Sequence, residues 1–272
     1  MAKVGTIALI GFGEAGMAFA GAWPADTKAY DIKTDDPALA VAKRADYARA
    51  GISGADTLAE ALDGAELVVS LVTADQALAA AETAAKLIAP GALYCDLNSV
   101  APQTKQEAAR LIEAAGASYA DVAVMAPVHP AGLAVPMLVS GADACPALAA
   151  LGFSPRRIDG PVGRASTIKM LRSVMVKGIE ALTAECFLAA RRAGVADEVA
   201  ASLDASWPGA DWAARADYNL GRMRAHGFRR AAEMEEVAAT LEGLGQSSDM
   251  ARATAQVQRR IGAAANQASE AA

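Results

Sequence analysis

The chain has 272 residues, 54% of them hydrophobic and 21% charged, with a formal net charge of −6 at pH 7. At about 150 residues per domain this length suits one large domain or two moderate ones, and the apolar share excludes a disordered chain. The acidic balance argues against a broad nucleic-acid surface, which needs a basic footprint.

The first half alternates short apolar runs with helical stretches. Thr6–Gly11 reads as a buried strand, followed by a helix from Glu14 to Trp23. Thr27–Asp31 is a second strand and Asp36–Ala50 a helix. Leu67–Val72 is a continuously apolar strand, and Ala74–Leu87 an alanine-rich helix. Strand Ala92–Asp96, helix Gln103–Ala115 and strand Tyr119–Val124 complete the series, with further strands at Pro136–Ser140 and Arg156–Ile158 flanking a short helical piece. Strand–helix alternation with apolar strands predicts a parallel sheet covered on both faces. After Gly160 the strands stop. Helices are expected over Arg164–Gly194, Ser202–Trp207, Asp211–Leu244 and Ser248–Ala265, with a frayed tail at Gly262–Ala272. The fold class expected is therefore an α/β Rossmann-type domain over residues 1–160 and an all-α domain over 161–272.

Three widely spaced cysteines, Cys95, Cys145 and Cys186, form no CxxC pair, and with only His129 and His226 beside them no metal site is expected. Free thiols suit a reducing cytoplasm. The N-terminal apolar run is too short for a signal peptide, and no run reaches the length of a membrane span.

The string GFGEAG at Gly11–Gly16 closes the first strand and opens the first helix. Gly11 permits a tight turn, Gly13 lets the backbone approach a pyrophosphate, and Gly16 allows close helix–strand packing. The helix start offers unpaired N–H groups and a positive dipole end to the phosphates. Asp31 stands 20 residues after Gly11, where a carboxylate accepts from the adenosine ribose hydroxyls and repels a 2′-phosphate. The expected cofactor is NAD; Lys33 leaves NADP open. No tyrosine has a lysine four residues on, which removes the proton-transfer pair of short-chain dehydrogenases.

These features resemble the β-hydroxyacid dehydrogenase superfamily, which includes 3-hydroxyisobutyrate and 6-phosphogluconate dehydrogenases. The resemblance rests on GFGEAG, on the turn with Asp96, Asn98, Ser99 and Pro102, and on Gly163 six residues before Lys169 in GRASTIKMLRS. The segment HGFRRAAEMEEVA resembles a short 6-phosphogluconate-dehydrogenase-like branch. The resemblance implies that Gly11, Phe12, Gly13, Glu14, Ala15, Gly16 and Asp31, with Val72, Thr73 and Asn98, bind the dinucleotide. It implies that Asn98 and Ser99 lie near nicotinamide and substrate, and that Lys169 carries the proton. A desolvated lysine can exchange that proton near neutral pH.

Helical spacing puts Lys169, Ser173, Lys177 and Glu180 on one face. Ser173 replaces the family's substrate-orienting asparagine, and Lys177 is expected to pair with Glu180 or to bind a substrate anion. Where the family has a serine-glycine-glycine loop, this chain has Met125, Ala126 and Pro127; where decarboxylating members place a glutamate, it has Val176. A non-decarboxylating reaction and a more apolar substrate wall follow. Arg222, His226, Arg229 and Arg230 share one helical face and could bind an anion, or pair with the glutamates that follow. Trp207, Trp212 and Tyr218 are candidates for a cleft wall. The function expected is NAD-dependent oxidation of a small, anionic 3-hydroxy acid or related alcohol, or the reverse reduction, by a homodimer. An imine reductase and a non-catalytic dinucleotide sensor are the alternatives, and Lys169 weighs against both.

Overall fold

Ile7–Ile10 opens the architecture as a strand, β1, whose four residues are all buried. The computed structural model describes residues 5–24 and 26–270, with side chains described as far as Gln267. After β1 come α1 (Glu14–Ala20), β2 (Lys28–Tyr30), α2 (Pro37–Ala50), β3 (Ser53–Gly54) and α3 (Leu58–Leu62). The series continues with β4 (Leu67–Ser70), α4 (Ala77–Ala85), β5 (Leu93–Asp96), α5 (Pro102–Ala114) and β6 (Ser118–Val124). β7 (Met137–Gly141), α6 (Cys145–Ala150) and β8 (Pro155–Arg157) complete the sheet-bearing part. The eight strands lie in the order β3-β2-β1-β4-β5-β6-β7-β8.

From β3 to β6 every pairing is parallel, as helical crossovers between strands require. The expectation of a purely parallel sheet is corrected at one place. β7 runs antiparallel to β6, because residues 125–136 return the chain without a crossover helix. Two apolar layers cover the faces. On one, Phe19 and Trp23 meet the Phe153 ring edge-on, at 5.0 and 6.1 Å between centroids. On the other, Tyr94 and Tyr119 stack at 5.6 Å above Ile112 and Ala108.

β3 and α3 are absent from the sequence reading. Ser53–Gly54 has no β-branched or aromatic residue to mark a strand. Gly54 is required there all the same, since a Cβ would stand 2.3 Å from the Tyr47 ring. The start of α3 did carry a signal: the Thr57 hydroxyl accepts from the Glu60 amide at 3.1 Å, one half of a capping box.

The helices that follow are α7 (Arg164–Ala193), α8 (Ala196–Ser206), α9 (Trp212–Gly243) and α10 (Asp249–Glu270). The chain forms two compact units, divided within α7 between Lys169 and Met170. In the second unit α9 and α10 form a helical hairpin. They touch at glycine: a Cβ on Gly227 would stand 2.4 Å from the Gln258 carbonyl oxygen and 2.9 Å from the Gly262 Cα. The expected fraying from Gly262 onward is overturned as far as Glu270, where the backbone is helical; Ala271 and Ala272 lie outside the described residues. Ala255, Ile261 and Gly262 on α10 are buried, so the packed part of the helix reaches Gly262 and the described side chains beyond it are half-buried or exposed.

The three cysteines are free. Cys95 is fully buried in β5, where burial and then the Asp96 charge push its thiol up to about 12. No helix of the described residues is long and apolar enough to cross a membrane.

Candidate functional site

Each glycine of the first loop has a distinct geometric reason to be glycine. Gly11 has φ +88°, and a Cβ there would meet the Leu71 carbonyl oxygen at 2.6 Å. Gly13 has nothing within 4 Å of a built Cβ, so the backbone faces open space where a phosphate can approach. At Gly16 a Cβ would press on the Gly11 carbonyl at 3.0 Å. α1 starts at Glu14 with no side-chain cap, which leaves its first N–H groups and dipole end available to an anion. Ala15 is half-buried and Glu14 exposed.

Asp31 follows β2 directly and is tied to this loop. One carboxylate oxygen accepts from the Phe12 amide at 2.8 Å, and the other from the Lys33 amide at 3.0 Å. The Phe12 ring is buried against Tyr47, 4.9 Å between centroids. Lys43, which sequence reasoning missed, donates to the Phe12 carbonyl at 2.7 Å and pairs with Asp46 at 2.9 Å. Two turns into α2, nothing in its local sequence separates it from the surface lysines of other helices. Open space at Gly13, an uncapped helix start and an acid beside the loop together fit the diphosphate and ribose of a dinucleotide.

Beyond β4, Val72 is half-buried and Thr73 exposed. The Val72 amide donates to the Asn98 side-chain oxygen at 2.7 Å, and the Asn98 side-chain nitrogen donates to the Ser70 hydroxyl at 3.0 Å. Asn98 thus straps the end of β4 to the end of β5. Ser99 beside it keeps a buried hydroxyl with no partner. The Asn98 amide in turn donates to Asp96 at 2.8 Å.

Asp96 belongs to a buried network that sequence reasoning did not assemble. Lys105 on α5, fully buried, pairs with Asp96 at 2.8 Å and lies 3.7 Å from Asp121, while the Tyr119 hydroxyl donates to Asp96. Asp121 on β6 accepts from the backbone amides of Gly163 at 3.1 Å and Ser166 at 3.0 Å, and from the Ser166 hydroxyl. Ser140, its register partner on β7, accepts from the Ala165 amide at 3.0 Å. A carboxylate and a hydroxyl from the sheet therefore satisfy the first amides of α7 and offset its dipole.

Lys169 lies three residues beyond Ser166 and is half-buried. Of its apolar neighbours Met170 is buried, Ile168 is half-buried and Leu171 is 42% exposed. Met125 and Ile168 belong to one apolar cluster with Ala123, Leu138 and Ala165. The dinucleotide loop, Asp31, Asn98, Ser99, Met125 and Lys169 all belong to the first compact unit.

Ser173 and Lys177 belong to the second unit, and both are buried. The expected Lys177–Glu180 pair is corrected. Lys177 pairs with Glu233 of α9 at 2.7 Å, and Glu180 takes Arg230 and, at 3.2 Å, the Gln258 amide. Neighbouring helices supply closer countercharges than the next turn of α7 does. Burial pushes the Lys177 ammonium below the usual lysine range, and Glu233 opposes that shift. The four-residue face on α9 is likewise divided. Arg230 is buried, Arg222 and His226 are half-buried, and Arg229 is exposed. Trp207 and Tyr218 are 58% and 61% exposed, and Trp212 is packed beside Phe187 and Ala200.

Comparison with known proteins agrees with this geometry. Residues 6–148 match the family described as the NAD binding domain of 6-phosphogluconate dehydrogenase, and residues 190–261 match a domain of unknown function, DUF1932. A conserved hypothetical protein from Sinorhizobium meliloti 1021 is 40% identical, with 96% of this chain and 90% of that one covered at a TM-score of 0.76. A conserved protein of unknown function, reported as structurally similar to 3-hydroxyacid dehydrogenases, is 26% identical over 94% of this chain and 99% of that one, TM-score 0.69. The Mycobacterium tuberculosis 3-hydroxyisobutyrate dehydrogenase, solved with L-serine, shares the fold at 16% identity, 96% and 94% coverage and TM-score 0.75. An uncharacterized 28.5 kDa protein of Methanothermus fervidus is 31% identical over 51% of this chain, and the match spans 53% of that protein's length.

Proposed function

Because the chain belongs to the 3-hydroxyacid dehydrogenase superfamily, built on the NAD binding domain of 6-phosphogluconate dehydrogenase, we propose that it is an NAD-dependent oxidoreductase acting on a small 3-hydroxy acid or related alcohol. The observation that carries the reading is Lys169, half-buried one turn past a helix start that Asp121 and Ser140 anchor to the sheet. Lys169 belongs to the same compact unit as the glycine loop and Asp31, which supports the reading.

When bound, the nicotinamide supplies the hydride acceptor or donor. The remaining work falls to the chain. The backbone at Gly13 and the start of α1 hold the diphosphate, and Asp31 holds the adenosine ribose and disfavours a 2′-phosphate. Lys169 Nζ takes the hydroxyl proton in oxidation and returns it in reduction. Asn98 keeps the loops after β4 and β5 in register. Val176 stands where a decarboxylating acid would, which supports a reaction that keeps its carbon chain intact.

The test is NADH absorbance with NAD and a panel of 3-hydroxy acids, and with NADH and the matching carbonyl compounds and imines. Lys169→Ala is expected to lower turnover by roughly 10²–10⁴-fold with NADH affinity unchanged, the range for loss of a general acid/base. Turnover that survives the substitution would remove the assignment. Tight NADH binding with no turnover anywhere in the panel would favour the sensor.

A further inference from the structure

Phe12, the second residue of the glycine loop, is gripped at three points. Its N–H donates to Asp31 at 2.8 Å, its ring packs 4.9 Å from the Tyr47 ring, and its carbonyl accepts from Lys43 Nζ at 2.7 Å. Lys43 and Tyr47 stand one turn apart on α2 and so share a face of that helix, and both are buried.

The lysine is the unusual member. Burying an ammonium is costly, and a core that only needed filling would be served by a methionine of similar length. Asp46 on the same helix balances the charge at 2.9 Å, and Arg49 shares that carboxylate at 3.2 Å. This pairing does not require Lys43 to reach a loop carbonyl 31 residues back along the chain. What the reach does is fix a peptide plane. The bond between Phe12 and Gly13 is trans, so its C=O and N–H point to opposite sides. With the carbonyl drawn onto Lys43, the Gly13 N–H faces away from the ammonium. Gly13 is also the loop residue whose built Cβ meets nothing within 4 Å. A peptide free to turn there could present its carbonyl instead, and the partial negative charge of that oxygen repels a phosphate.

We propose that Lys43 is a positioning residue for the cofactor: by holding the Phe12 carbonyl, it aims the Gly13 N–H at the diphosphate of a dinucleotide. The ammonium acts through the peptide rather than on the phosphate. This rests on the dinucleotide reading of the loop, and not on the reaction that the protein catalyses.

The experiment is calorimetric titration of the full chain with ADP, which carries the diphosphate and ribose without nicotinamide, together with amide NMR spectra of isotope-labelled protein. In wild type, ADP is expected to move the Gly13 amide proton downfield, as a charge-assisted hydrogen bond does. Lys43→Met is expected to bind ADP at least about tenfold more weakly, and to show a smaller Gly13 shift at saturating ADP. The saturated shift separates positioning from stabilisation, because a loop that was only loosened returns to the wild-type shift once ADP is bound. Asp46→Asn removes the ion pair but leaves the carbonyl within reach of Lys43, and is expected to bind ADP within about twofold of wild type. Equal ADP affinity and equal Gly13 shift in Lys43→Met and wild type overturn the proposal and leave the dinucleotide reading standing. A loss in Asp46→Asn as large as in Lys43→Met also overturns it, since the ion pair would then be the cause. A wild-type Gly13 amide that ADP does not move overturns it even where Lys43→Met fails to fold. No ADP binding by wild type removes the dinucleotide reading and the proposal together.

Discussion

Asp31 holds the glycine loop with the carboxylate that, in the proposed function, also selects the cofactor. Its oxygens accept from the Phe12 and Lys33 amides, which fixes the orientation of the acid before any ribose arrives. Asp31→Ala is expected to weaken NADH binding by roughly 10–100-fold, the range for hydrogen bonds to a charged group, and to weaken NADPH binding less. Fluorescence titration with both cofactors checks this; a wild type that prefers NADPH would contradict it. At this scale the sequence was informative where function sits on backbone geometry. Gly11, Gly13 and Gly16 are readable because no other residue meets a positive φ, an open approach and a close helix contact at that spacing. Lys43 and Lys105 were not readable. The Phe12 carbonyl that Lys43 reaches and the carboxylates around Lys105 lie on other elements, and a buried lysine has the same letter as a solvated one.

Among the elements, α7 shows how far a helix start can depend on distant residues. Its first amides are satisfied by Asp121 and Ser140, which face each other across β6 and β7. The motif around Gly163 and Lys169 was legible, but not the sheet residues that hold it, because separations of 42 and 45 residues leave no local pattern. The same limit explains the misassigned partner of Lys177. Spacing along α7 offered Glu180, and only packing against α9 could offer Glu233. The hairpin of α9 and α10 yields a paired prediction. Gly227→Ala is expected to cost about 1–3 kcal/mol, because a methyl 2.4 Å from the Gln258 carbonyl forces the helices apart. Gly221→Ala on the same helix meets nothing within 4 Å and is expected to stabilise by about 0.5–1 kcal/mol. Thermal unfolding of the two variants checks both signs; similar midpoints would mean that the contact is not close.

For the whole molecule, we propose a homodimer. The helical unit leaves Leu171, Met175 and Leu182 on α7, and Phe228 and Met250 beyond it, more than 40% exposed. A second copy of the chain would remove such surface from water, and a unit this small gains from that burial. Light scattering is expected to give twice 27.7 kDa, and a mass of 27.7 kDa that does not change with concentration would refute it. The Rossmann-type layering was legible because apolar strands and amphipathic helices alternate over the first 160 residues, and the antiparallel turn into β7 was not, because a strand's direction leaves no trace in its composition.

The Cys95 thiol, sealed in the middle of the sheet and held near a pKa of about 12, gives the protein an internal clock for its own opening. Alkylating agents attack the thiolate, so in the closed fold this sulfur is both shielded and protonated near neutral pH. Its modification by iodoacetamide, followed by mass spectrometry, should then proceed only as fast as the strands around β5 separate, and should accelerate with denaturant in step with unfolding. Rapid labelling of Cys95 at pH 8 without denaturant would show that the centre of the sheet opens on its own.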